Sequence, residues 1–239
     1  MRFTLARRAA ALAVLAGLLP AHALHAQVPV AGDARPRLGV VQFENHSPLD
    51  PAVFDPLALS IPDRLILEIR QNDSLRVFER QRLQRLVDEL KLVKDGIVDP
   101  VGAARAGRML GASHIVRGSF TADPKGRRLE IVGLIEDPEL GEVIGSAKVG
   151  GKPDDILRLI SDLGRQLATK VRRTNRADTP LPRGRSGDFQ AALLEGRAII
   201  EEDRGNAQQA AALRAELQAK FPDYVADRTR LASAGRGGR

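Results

Sequence analysis

The apolar positions fall into short blocks separated by turn formers. Leu38-Gly39-Val40-Val41-Gln42-Phe43 is an apolar, β-branched run and predicts a buried strand. Asn45, Ser47, Pro48, Asp50 and Pro51 make a loop after it. Leu57, Ile61, Leu65 and Ile69 then recur at helical spacing as far as Arg70. Pro62 interrupts that span. Proline is tolerated in the first turn, so the helix is expected to begin near Ser60 as N-cap. Leu75–Phe78 is a second short strand. Leu83, Leu86, Val87 and Leu90 predict an amphipathic helix over 80–92, broken by Asp95-Gly96. Asp99 as N-cap and Pro100 at the first position open another helix, which ends at Gly111.

Three strands follow with short turns between them: 114–121, 129–135 and 142–149. Such turns imply an antiparallel meander. Asp154 or Asp155 then caps a helix carrying Ile156, Leu159, Ile160, Leu163, Leu167 and Val171. The order is βαβααβββα. The fold class is α/β, with a mixed five-stranded sheet packed with helices: helical crossovers imply parallel pairing first, antiparallel later.

Residues 174–187 read as a linker and 188–224 as a helical hairpin. Its helices are expected at 188–203 and 206–220, with Pro222 ending the second. Residues 225–239 are expected to form a disordered basic tail. The α/β domain itself is bounded at 36–173.

Residues 1–26 change the picture of where this domain works. Arg2, Arg7 and Arg8 precede the apolar run Ala9–Leu19, and small residues follow Pro20. That is a secretory signal pattern, with cleavage after Ala23 or Ala26. An 11-residue run is short of the roughly 20 residues a membrane-spanning helix needs. The mature protein is therefore expected in the periplasm, in places peripheral to the outer membrane. The chain has no cysteine, which excludes disulfide staples and a lipid-modified cysteine.

The formal net charge is +7, with arginines concentrated towards the C-terminus. Export and an aromatic content of 3% speak against nucleic acid. An anionic envelope surface is the partner expected for the basic tail.

A search for chemistry finds none. His46 and His114 stand apart and lack metal-ligand spacing. Gly111-Ala112-Ser113-His114-Ile115 lacks the second glycine of a nucleophile elbow and runs from helix to strand. Gly150-Gly151-Lys152-Pro153 only echoes a phosphate loop and reads as a turn. Asp154-Asp155 sits at a helix N-terminus, where negative charge is favourable. Glu201-Glu202-Asp203 lies on a helix end. No catalytic, cofactor-binding or metal residue is nominated, no cofactor is expected, and the protein is expected not to be an enzyme.

Read together, the pieces resemble a known family. Val40-Val41-Gln42-Phe43-Glu44-Asn45 is similar to the strand-then-F-x-N opening of the CsgG and TolB N-terminal group. Val77-Phe78-Glu79-Arg80 with Leu83 and Leu86 is similar to its V-x-E-R-x-x-L-x-x-L step. The stretch 103–119, AARAGRMLGASHIVRGS, resembles its helix-to-strand signature, and Gly141-Glu142-Val143 its hairpin turn. The resemblance covers about 36–172. It implies an envelope protein of secretion or assembly, without catalysis and with envelope proteins as partners. Members of the group include the curli secretion pore, flagellar accessory proteins and activators of cell-wall synthases. The resemblance leaves open a homo-oligomer, an outer-membrane-associated oligomeric secretion component or a regulator of cell-wall synthases. The 188–224 hairpin is similar to one degenerate tetratricopeptide unit, with Arg214 and Glu201 where large apolar residues are expected.

Overall fold

The computed structural model describes residues 35–71, 75–78, 93–94, 97–98, 111–172 and 184–234. The helices expected over 80–92 and 99–110 lie outside these, as do the signal segment, most of the 174–187 linker and 235–239.

The five-stranded sheet has the order β2-β1-β5-β6-β7. Its strands are β1 (Arg37–Asn45), β2 (Arg76–Val77), β5 (His114–Ala122), β6 (Leu129–Asp137) and β7 (Glu142–Gly151). Between β2 and β5 in the chain, β3 (Val93–Lys94) and β4 (Ile97–Val98) form a separate antiparallel pair. β1 runs parallel to β2 and β5; β5–β6 and β6–β7 are antiparallel. This is the mixed five-stranded sheet that the apolar blocks predict.

Helix α1 (Pro51–Phe54) leads almost without a break into α2 (Leu57–Arg70). After β7, a 3-10 turn (Pro153–Asp155) feeds α3 (Ile156–Arg172). Both α2 and α3 bury their apolar stripes. Leu57, Ile61, Leu65, Leu163 and Leu167 share one core with Leu38, Phe43, Val116, Phe120 and Ile131. Gly133 points at α3: a Cβ there would stand 3.0 Å from Leu167 Cδ1. Gly118 is needed where β1 and β5 shift register, because an added Cβ would overlap the Val132 carbonyl oxygen and lie 2.6 Å from the Phe43 ring.

The C-terminal part forms three helices: α4 (Asp188–Asp203), α5 (Ala207–Lys220) and α6 (Pro222–Ala234). α4 packs on α2, and Gly196 lets its backbone meet that of Pro56.

Three expectations need correcting. α2 begins at Leu57, not near Ser60, and Pro62 lies inside it. α1 has already set the chain direction, with Leu59 N and Ser60 N both donating to Pro56 O, so one lost helical bond is tolerated. Neither Asp154 nor Asp155 is an N-cap; they lie within the 3-10 turn, and Asp155 pairs with Arg158 at 3.1 Å. The 225–239 tail is not disordered over its described part: Pro222 opens α6 rather than simply closing α5. Its inward side chains are Tyr224, Val225, Asp227, Arg228 and Leu231. Charge carries much of that side, so apolar periodicity does not reveal it.

Candidate docking surface

Sheet order leaves β7 as a long edge. In an antiparallel strand every second residue directs its N–H and C=O away from its one neighbour. Among the described residues β7 pairs with β6 alone, so those groups face outward.

The same strand begins at an apolar corner. Leu140, Val143 and Ile144 are 68%, 50% and 51% exposed. Val53, on α1, completes the set of exposed large apolar side chains among the described residues. Local chemistry builds the corner. Asp137 Oδ1 accepts from the backbone N–H of Glu139 at 2.8 Å and of Leu140 at 3.2 Å. Gly141 takes the left-handed conformation (φ 71°) that brings the chain back as β7. Gly145 and Val143 pair with consecutive β6 residues, Ile135 and Glu136, so Ile144 is the extra residue of a bulge.

Register assigns the faces. Ala147, Val149, Ile131 and Ile135 are buried towards α3. Ser146 and Lys148 share the outer face with Val132, Leu134 and Arg117. Two ion pairs flank that patch: Arg117 Nε to Glu136 Oε2 at 2.9 Å and Lys148 Nζ to Glu130 Oε1 at 2.7 Å.

A second polar concentration lies at the seam between α2, α4 and α6. Glu195 is fully buried. It accepts from Tyr224 OH at 2.5 Å and faces Arg228 Nε at 2.5 Å. Arg228 also donates to Asp63 at 2.6 Å. Arg64, 1% exposed, donates to Asp227 and to Glu68. Burial pushes the Glu195 carboxyl above its ordinary 4.5, against the pull of Arg228. Burial also drives the Tyr224 hydroxyl well up, helped by the Glu195 charge. These groups pair largely with one another, although Arg64 Nη1 is buried without a hydrogen-bond partner, and the seam is a clamp for α6.

The folded chain therefore holds the Glu195 proton more tightly than the unfolded chain does. This contribution is full below about pH 4.5 and is lost as pH rises through the folded-state value. The difference in unfolding free energy between the protein and Glu195→Gln is expected to fall as pH rises above 4.5. Denaturant titrations across pH check it, and a constant difference would contradict it.

The residues weighed for chemistry do not converge. His46 contacts Glu44 at 2.9 Å on an exposed loop. Ser113 Oγ accepts from Arg37 N–H at 2.8 Å, donates to Arg37 O at 3.0 Å and contacts His114 Nδ1 at 3.0 Å. It thereby clips β5 to β1. Burial lowers the affinity of His114 for a proton, opposed by Asp137. Glu201 accepts from Arg204 and Asn206, while Glu202 accepts from Nε and Nη2 of Arg214, each at 2.7 Å. Among the described residues no group of three or more His, Cys, Asp or Glu side chains could hold a metal ion. Sequence reasoning missed the apolar corner. Its signal was the adjacent pair Val143-Ile144, which breaks strand alternation just after a turn.

Fold and surface define an α/β domain with a mixed sheet, a clamped helical extension and an edge strand, β7, that pairs with β6 alone among the described residues. Residues 24–128 match the model of the family described as "Curli production assembly/transport component CsgG". The match covers less than half of the chain, and the apolar corner lies beyond the matched span. Among solved structures, the LpoB C-terminal domain from Salmonella enterica is 18% identical, with 49% of this chain and 82% of that chain covered and a TM-score of 0.34. Lipoprotein GNA1162 from Neisseria meningitidis is 13% identical over 48% and 79%, with a TM-score of 0.37. The PelC dodecamer from Paraburkholderia phytofirmans is 13% identical over 54% and 85%, with a TM-score of 0.34. No curated protein matches the chain.

Proposed function

We propose that this protein is a non-enzymatic accessory component of the cell envelope that serves secretion or assembly of surface structures by docking other proteins. The family match supports the process, since that family is described by curli assembly and transport. The observation that carries the mode of action is the exposed Leu140–Ile144 corner beside the β7 edge, which pairs with β6 alone among the described residues. Exposed apolar side chains clustered in one place mark interaction sites more often than scattered ones do. Export to the periplasm rests on the signal pattern of residues 1–26. Among the described residues no helix is long and apolar enough to cross a membrane.

A photo-crosslinking amino acid placed at Leu140 tests this in intact cells. Illumination is expected to give a discrete protein adduct in the envelope fraction. Ile144→Asp should reduce that adduct about tenfold, as expected when an anchoring apolar contact worth roughly 1.4 kcal/mol or more is lost. It should leave thermal unfolding within about 0.5 kcal/mol of the parent, as for an exposed position. Absence of any adduct from Leu140 and from Val143 would remove the reading, as would a protein retained in the cytosol.

A further inference from the structure

Three exposed side chains do not make a flat protein interface. Stable ones cover roughly 800 Å² per partner, far more than Leu140, Val143 and Ile144 offer. What the corner has besides apolar surface is main chain: the outward N–H and C=O groups of a ten-residue strand. Edge strands left in this state are templates for pairing. Among the described residues β7 is blunted by its bulge and by Lys148.

We propose that β7 receives an extended segment of a partner protein as a sixth strand, with an apolar residue opposite Ile144 and a carboxylate opposite Lys148. The proposal rests on the reading of this corner as a docking surface and names what docks there. Main-chain bonds supply affinity in strand addition, and alternate side chains supply specificity. Ile144, Ser146 and Lys148 supply them here, because side chains repeat on one face every two residues. The Lys148 side chain is 64% exposed although paired with Glu130, so a second carboxylate can approach it from the edge. The incoming segment therefore carries its apolar and acidic residues four positions apart.

A second copy of this chain is a poor occupant. The one acidic residue of β7 is Glu142. Pairing of Val143 with Glu136 and of Glu142 with Asp137 turns Glu142 to the face opposite Lys148. A second β7 would bring no carboxylate to Lys148.

A random dodecapeptide library displayed on phage, panned on the purified protein, tests this without its natural partner. Selected peptides are expected to alternate, with an apolar and an acidic residue at that four-residue spacing. They should slow amide exchange within 143–149 and nowhere else. Lys148→Glu should weaken them tenfold or more and should select basic residues in place of acidic ones. The absence of cysteine gives a second readout. Ser146→Cys should form a disulfide with a peptide cysteine midway between the two anchors and not with one placed a residue away. Peptides that protect another surface, lack the spacing or bind Lys148→Glu equally well would overturn the proposal. So would a purified dimer with 143–149 already protected. A failure here alongside a Leu140 adduct in cells would leave the docking reading standing and remove only the added strand.

Discussion

Gly196→Ala is expected to lower the thermal unfolding midpoint by about 10 °C, from a loss of roughly 3 kcal/mol at the upper end of overpacking costs in a chain of this size. The ordinary rule points the other way. Glycine in a helix interior is about 1 kcal/mol worse than alanine, so the change would usually stabilise. Here α4 lies against the start of α2, and Gly196 faces backbone. An added Cβ would overlap the carbonyl oxygen and carbon of Pro56 and stand 2.8 Å from its Cα. No rotamer can relieve a clash with main chain, so α4 must move off the domain. Gly164 in α3 is the matched control. A Cβ there would meet only side chains, Leu65 Cδ1 at 3.2 Å and Glu68 Cβ at 3.4 Å. Those can shift, and Gly164→Ala is expected to stay within about 1 kcal/mol of the parent. Calorimetry of the two variants decides the matter. A Gly196→Ala protein as stable as its parent would mean that α4 is not seated on Pro56.

The contrast shows what kind of information the sequence carries. Strand positions are local: Val40, Val41 and Phe43 announce β1 because burial on both faces of a parallel strand needs an apolar run. The turn at Gly141 is local too. Both are legible, and so are the limits of α4 and α5, where Gly205-Asn206 breaks two helical patterns. Tertiary matters are not. Pro62 reads as a helix start because its cost is local, whereas the burial that overrides it comes from α3 and β1. Arg214 reads as a mismatch in an apolar slot until Glu202, one residue before the end of α4, is seen to neutralise it across the hairpin. The outer-face corner was invisible for a related reason. Leu140, Val143 and Ile144 look like core residues in a list, and only the bulge at Ile144 and the edge position of β7 put them in solvent. α6 was hidden most completely. Tyr224, Val225 and Leu231 alone do not make an amphipathic helix, and the inward positions Asp227 and Arg228 among them are charged.

That last point sets the second expected result, which concerns what keeps α6 on the domain. Arg64→Ala should cost about 3–5 kcal/mol, the range for breaking a buried charge pair. Burial opposes the Arg64 charge, yet Glu68, Tyr224 and Asp227 together outweigh it, and the guanidinium stays protonated above its usual range. It donates to Glu68 at 3.2 Å and to Asp227, and lies 6.0 Å over the Tyr224 ring. Removing it leaves Asp227, 8% exposed, with only Arg230 from its own helix. α6 fully buries only Tyr224 and Asp227, with Val225 partly buried against the core, so its apolar hold is small. Trypsin is therefore expected to cut Arg64→Ala first at Arg228 or Arg230, before the sheet is touched. The double variant Arg64→Met/Asp227→Leu separates charge from position. A buried pair replaced by apolar residues of similar volume is often neutral or stabilising, so the double variant should recover much of the loss and regain resistance at Arg228 and Arg230. If it is no better than Arg64→Ala, the pair itself is required for seating α6. If Arg64→Ala costs under 1 kcal/mol, the helix is held by its apolar contacts and the clamp is not what secures it.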